Sequence, residues 1–205
     1  MTATMTATKG LRIAVADDEA DTREFFERYL PRLGHQVVAS AEDGRRLVEL
    51  CRASHPDLII TDIRMPGMNG LDAVAELFRD QTVPVIVVTA HADPQWVEQA
   101  QVVGVFGYLL KPITEKDLMP AIALATLRFA QFQALRKEAA DLKQALEERK
   151  LIERAKGAII RRSRLEEAES FRRMRKYASD RNMKLVDVAR KVLAAEEVFH
   201  EMDQE

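Results

Sequence analysis

Between Leu11 and Leu127 short apolar runs alternate with stretches of helical periodicity. LRIAVA from Leu11, QVVAS from Gln36, DLIIT from Asp57, VPVIVVT from Val83 and GYLL from Gly107 show almost no polar alternation. Such runs are expected of strands covered on both faces of a parallel sheet. The segments Asp21–Leu33, Asp43–Ala53, Leu71–Arg79 and Pro94–Val103, and one beginning at Thr114, space their apolar residues as amphipathic helices do. Gly34 closes the first helix and Pro31 frays its last turn, while Pro66, Gly67 and Gly70 stop the third strand. Five successive βα units predict an α/β fold with a doubly wound, five-stranded parallel sheet, because parallel strands need crossover helices.

The fifth helix has no evident stop. From Leu118 to Lys156 there is no glycine, and Pro120 falls in the first turns, where proline is tolerated. Phe132, Leu135, Ala139, Leu142 and Leu146 follow at alternating spacings of three and four, a two-heptad seam. That seam suits either packing onto a neighbouring helix of the same chain or a coiled coil with a second copy. Beyond Gly157, Leu165–Ser179 and Leu185–Phe199 read as two more helices, divided by polar turns at Arg162–Arg164 and Asp180–Lys184. The expected organisation is a disordered tail over 1–9, an α/β domain over 10–127, a linker helix over 128–148 and a small all-α three-helix domain over 149–205.

Charge separates the two parts. The net charge of −2 conceals −6 over residues 1–125 and +4 over 126–205, and Arg149–Lys191 holds 15 basic against 6 acidic residues. The helical part is therefore suited to a polyanionic partner. Cys51 is the only cysteine, which excludes an intramolecular disulfide, and it reads as a buried helix residue. No unbroken run of about 18 apolar residues occurs, and MTATMTATKG lacks a signal-peptide pattern, so the expected location is cytoplasmic with no membrane partner.

Candidate chemistry gathers at the strand ends. Asp17 and Asp18 follow the first strand and Asp62 the third, and in a doubly wound sheet these strands are neighbours. Three carboxylates in one crevice oppose full ionisation unless a cation offsets them, and an all-oxygen ligand set with room for water suits Mg²⁺. Thr89 ends the fourth strand and Lys111 the fifth, at the same edge of the sheet. Singly, each has a plainer role: helix cap, strand end or solvated charge. Jointly they form a phosphate-sized site in which Asp62 is a nucleophile toward a phosphoryl donor, with Mg²⁺, Lys111 and Thr89 sharing the phosphoryl oxygens.

With VADDEAD, TDIRMPGMNG, VVTA and GYLLKP in these positions, Leu11–Leu127 resembles a two-component receiver domain. The resemblance implies that a sensor histidine kinase phosphorylates Asp62 and that Asp17, Asp18 and Asp62 bind Mg²⁺ with the Arg64 carbonyl. It further implies that Tyr108 is an aromatic coupled to Thr89 and that the Lys111–Pro112 peptide is cis. A phosphoryl group adds nearly two negative charges at Asp62, enough to draw the Thr89 hydroxyl inward and let Tyr108 turn in. His91, two residues past Thr89, is either a group acting in acyl-phosphate hydrolysis or a solvated loop histidine.

IERAKG from Ile152, with Tyr177, Ala178 and the Leu185, Val188, Ala189 pattern, makes Ala139–Val198 similar to an ANTAR domain. That resemblance implies an RNA-binding antitermination module, not an enzyme, that binds RNA hairpins in nascent transcripts. Lys156, Arg161, Arg162, Arg172, Arg173, Arg175, Lys176 and Arg181 are candidate phosphate contacts, and Tyr177 is a candidate for stacking. Three departures cluster before the second helix of the module. Arg164 stands where the family has glycine, Glu166 where it has a Ser/Thr cap, and Ser170 where it has alanine. They leave open a protein-binding output and, less favoured, DNA binding.

Overall fold

The computed structural model describes residues 10–80, 82–90, 94–164 and 166–202. The expected N-terminal tail and His91 lie outside these residues. The chain folds as two units, 1–133 and 134–205.

The first unit is built on five parallel strands, β1 (Arg12–Ala16), β2 (Gln36–Ala41), β3 (Leu58–Asp62), β4 (Val85–Thr89) and β5 (Gly107–Leu110). Their order is β2-β1-β3-β4-β5. Every residue of β3 and β4 is buried, as their unbroken apolar runs require. Helix α1 (Ala20–Tyr29) and the start of α5 (Glu115–Ser163) cover one face, where Ile13, Phe26, Ile60, Val88, Leu118 and Ile122 form a core. Helices α2 (Gly44–Ser54), α3 (Gly70–Leu77) and α4 (Pro94–Val103) cover the other, around Ala14, Leu47, Ile59, Leu71 and Val87. Each fully buried Leu or Ile contributes about 1.5–3 kcal/mol.

Local chemistry sets the helix ends. Pro31 ends α1 early by starting a 3₁₀ turn over Pro31–Leu33, which Gly34 closes at φ 84°. Asp43 and Asn69 cap α2 and α3 by accepting the amides of Arg46 and Asp72. Gly70 starts α3 against β3. A Cβ there would lie 1.9 Å from the Asp62 carbonyl oxygen, so only glycine lets the helix begin beside the end of that strand.

Helix α5 runs 49 residues without a break, through the segment expected to be a linker. By length and composition alone it is apolar enough to cross a membrane, although polar residues such as Thr126 and Arg128 interrupt its apolar stretch. Within this stretch Leu118, Ile122 and Ala125 are buried against the sheet, while Met119, Leu124 and Leu127 are exposed. Of the seam, Leu135, Leu142 and Leu146 are more than half exposed, so no helix among the described residues covers them.

In the second unit the end of α5 packs with α6 (Glu167–Asp180) and α7 (Leu185–Met202) around Ala155, Met174, Ala178, Val188 and Ala189. Of the unusual residues, Arg164 and Glu166 lie before α6, and Ser170 lies in its first turn. Arg164 takes the left-handed conformation at φ 48°, the region that favours glycine. Glu166 occupies the cap position without a side-chain hydrogen bond, and the buried Ser170 hydroxyl donates to the Glu166 carbonyl at 3.1 Å.

Two substitutions test these local constraints by calorimetry. Gly70→Ala is expected to cost about 3 kcal/mol or more, because backbone atoms must move. Arg164→Gly is expected to stabilise by about 0.5 kcal/mol, relief of left-handed strain exceeding the gain in unfolded-chain entropy.

Candidate functional site

The register of the sheet builds the site. β1 and β3 pair Ala16 with Thr61, so Asp17 and Asp62 emerge side by side at the C-terminal edge. Asp17 is fully buried and Asp62 nearly so, while Asp18 is exposed. One carboxylate oxygen from each lies within 4.8 Å of the others. Lys111 follows β5 directly and reaches back across the edge. Its Nζ stands 2.9 Å from Asp17 Oδ2, 2.9 Å from Asp62 Oδ2 and 2.9 Å from Glu19 Oε2.

The backbone around these groups is pinned. Arg23 Nη1 donates to the carbonyls of Asp17 at 2.7 Å and Asp18 at 3.2 Å, and the Glu19 amide donates to Asp17 Oδ1 at 3.0 Å. The Arg64 amide donates to Asp62 Oδ1 at 3.2 Å. The Lys111 amide donates to the Thr89 carbonyl at 2.8 Å, and the Lys111–Pro112 peptide is cis.

Burial and the lysine act against one another at Asp17. Desolvation pushes its carboxyl above the usual range, and the neighbouring Asp62 charge adds to this. Hydrogen bonds from Lys111 and the Glu19 amide, with the lysine's charge, offset only part of the rise. At Lys111, desolvation opposes the ammonium, but hydrogen bonds to Glu19, Asp17 and Asp62 outweigh it and hold the pKa above the ordinary lysine value. Glu19, exposed, is held below the usual carboxylate range mainly by its hydrogen bond from Lys111.

A divalent cation fits this donor set. Asp17 Oδ2 is buried and accepts no hydrogen bond, although it lies within ion-pair distance of Lys111. With two further carboxylates at hand and Asp18 open to solvent, the residues form an all-oxygen acidic site of the kind hard cations take.

Thr89 is buried at the end of β4, one residue beyond Val88, which pairs with Asp62. Tyr108 is half-buried in β5 opposite Val87 and packs against the core under α2, α3 and α4. The structure thus brings Asp17, Asp18, Asp62 and Lys111 into contact range and sets Thr89 on the same edge. Sequence reading missed Glu19 and Arg23. A third acid directly after the acidic pair was the available signal for Glu19, whereas Arg23 looked like any exposed helical arginine.

The basic residues of the second unit are mostly engaged. Lys156 is largely covered, with its Nζ bonded to Glu167 at 2.6 Å and paired with Glu153 at 2.8 Å, both exposed carboxylates, so its charge is already engaged. Arg172 and Arg173 share Glu169, and Arg161 pairs with Glu196. Arg162 stacks 3.6 Å from the Phe199 centroid, and Arg175 lies over Phe171. Lys176 is exposed. Tyr177 is 39% exposed, with the Arg181 guanidinium 4.1 Å from its ring centroid.

A five-stranded parallel sheet with an acidic crevice and a cross-edge lysine defines a receiver, and similarity to known proteins agrees. The response regulator receiver domain family matches residues 13–123 and the ANTAR domain family residues 140–193. The chain belongs to the two-component response regulators: it pairs a receiver with an ANTAR output domain. It is 39% identical over 182 residues to the transcriptional regulatory protein PdtaR of Mycobacterium tuberculosis, covering 89% of each. Among solved structures, the receiver domain of NarL from M. tuberculosis is 35% identical, covers 60% of this chain and 98% of its own, and superposes with a TM-score of 0.52. A LuxR-family response regulator from Staphylococcus aureus is 29% identical over 56% of this chain and 98% of its own, with a TM-score of 0.53. The chain is accordingly a phosphorylation-gated regulator with an RNA-binding antitermination output, regulatory rather than catalytic in class.

Because the Asp17 pKa is raised on folding, the folded state binds more protons than the unfolded one between the ordinary and the raised values. Stability therefore falls as pH rises through that window, and Asp17 opposes the fold at neutral pH. Without metal, Asp17→Asn is expected to melt at or above wild type. Added Mg²⁺ should raise the wild-type melting temperature, by about 2.7 kcal/mol of stability at a hundredfold excess over Kd, and leave Asp17→Asn nearly unmoved.

Proposed function

We propose that Asp62 is the phosphoacceptor and that a sensor histidine kinase is the donor. An Asp62 carboxylate oxygen attacks the phosphorus of a phosphohistidine, the phosphorus–nitrogen bond breaks, and the imidazole leaves as the acyl phosphate forms. Asp17, Asp18, Asp62 and the Arg64 carbonyl hold Mg²⁺, which supplies positive charge to the phosphoryl oxygens when bound. Lys111 moves from carboxylate partners to a phosphoryl oxygen, and the Thr89 hydroxyl takes another. Tyr108 turns in as Thr89 is drawn inward. The observation that carries this reading is the Lys111 ammonium 2.9 Å from both Asp17 and Asp62 at the ends of neighbouring strands.

The output reading is that the unit formed by α6, α7 and the end of α5 binds RNA hairpins in nascent transcripts, in the cytoplasm. Residues 10–127 are the switch, 128–148 a connecting helix and 149–205 the effector. The exposed seam of Leu135, Leu142 and Leu146 favours a homodimer through that connecting helix over packing within the chain. A protein-binding output is the alternative that the unusual residues Arg164, Glu166 and Ser170 leave open.

RNA crosslinking and sequencing from cells expressing wild type or Asp62→Ala tests the output. Discrete hairpins are expected with wild type and far fewer with the variant, and none in either strain would overturn the RNA reading. For the dimer, light scattering with an acyl-phosphate mimic should show a doubled mass that Leu135→Lys with Leu142→Lys abolishes. A monomer throughout would contradict it.

A further inference from the structure

The second unit carries an open pocket of about 390 Å³ bordered by Tyr177, Arg173, Lys191, Met174, Val192 and Ser163. Its volume lies at the lower end of the range for small-molecule sites. Met174 and Val188 form a dry floor, being 2% and 4% exposed. The rim is cationic. Arg173 and Lys191 border the opening on α6 and α7, and Arg181 stacks on the Tyr177 ring, whose hydroxyl it also donates to.

These features fit one occupant. An apolar floor, an aromatic wall and cations at the mouth match a nucleobase with its phosphates outside, since each base has a face that stacks and an anionic backbone that does not enter. The Arg181 guanidinium lies 4.1 Å from the tyrosine ring centroid, so this wall brings a further cation to the mouth. Arg173, which borders the opening, is paired with Glu169 at 2.9 Å.

We propose that this pocket takes one unpaired base of an RNA loop, stacked on Tyr177, with Lys191 and Arg173 facing the flanking phosphates. The proposal rests on the RNA reading of the output domain and deepens it. The basic helix faces bind any RNA backbone, and this pocket is what tells a loop with an extruded base from a closed duplex. Lys191 thereby joins the candidate contacts, a residue that charge counting alone does not single out.

The test uses the full chain, phosphorylated with acetyl phosphate and Mg²⁺, and a pool of RNA hairpins with a fixed stem and a randomised loop. Loops enriched by wild type are then titrated against wild type, Tyr177→Phe and Tyr177→Leu, each also with an abasic nucleotide placed at every loop position in turn. Circular dichroism melts confirm that the exposed substitutions leave the fold intact. Tyr177→Phe should bind within about twofold of wild type, and Tyr177→Leu about 5- to 100-fold more weakly, the range for loss of one stacked base. At one loop position the abasic change should weaken wild type by a similar factor and Tyr177→Leu hardly at all. Unchanged binding by Tyr177→Leu, or fully additive losses at every position, would overturn the pocket while leaving RNA binding standing. No enrichment of any loop by wild type would overturn the pocket and the RNA reading together. Loss of self-association by Tyr177→Leu with RNA affinity intact would assign the pocket to a protein contact instead, which also overturns it.

Discussion

A single ammonium group holds the receiver together at its acidic edge. Lys111 Nζ lies within ion-pair distance of Asp17, Asp62 and Glu19, carboxylates that would otherwise repel one another in a buried crevice. Removing that ammonium would leave the buried carboxylates uncompensated, a far larger penalty than losing a surface pair. The parallel sheet supplies the geometry, because β1, β3, β4 and β5 all end at one edge. The same cluster is poorly satisfied without more positive charge, since burial still holds Asp17 above the ordinary carboxylate range. A site that is stable yet short of cations is a receptive one for a divalent ion and a phosphoryl group.

Glu19 adds a competitor. It is exposed and takes one of the three Lys111 contacts, so any anion that engages Lys111 competes with a solvated carboxylate as well as with buried ones. An exposed ion pair contributes about 0–1 kcal/mol, so this contact restrains Lys111 without locking it.

The site was legible in sequence where its chemistry coincides with a strand end. Asp17, Asp62, Thr89 and Lys111 each follow an apolar run, and the βα alternation alone places those ends together. Arg23 was not legible, because its role depends on a helix folding back so that its guanidinium meets the carbonyls of Asp17 and Asp18. In the output domain charge could be counted but not its pairing. Glu169 engages two of the candidate arginines, and Lys156, which reads as a phosphate contact, is paired with Glu153 and Glu167. Arg164 shows the reverse case: a residue unsuited to a left-handed turn that the surrounding structure nonetheless imposes.

The central claim is that Asp62 receives the phosphoryl group at a site completed by a divalent cation. Intact-protein mass spectrometry after incubation with acetyl phosphate measures this directly. One phosphoryl group is expected on wild type in Mg²⁺, with none on wild type in a chelator and none on Asp62→Asn. Equal incorporation into Asp62→Asn, or incorporation that ignores the chelator, would contradict it.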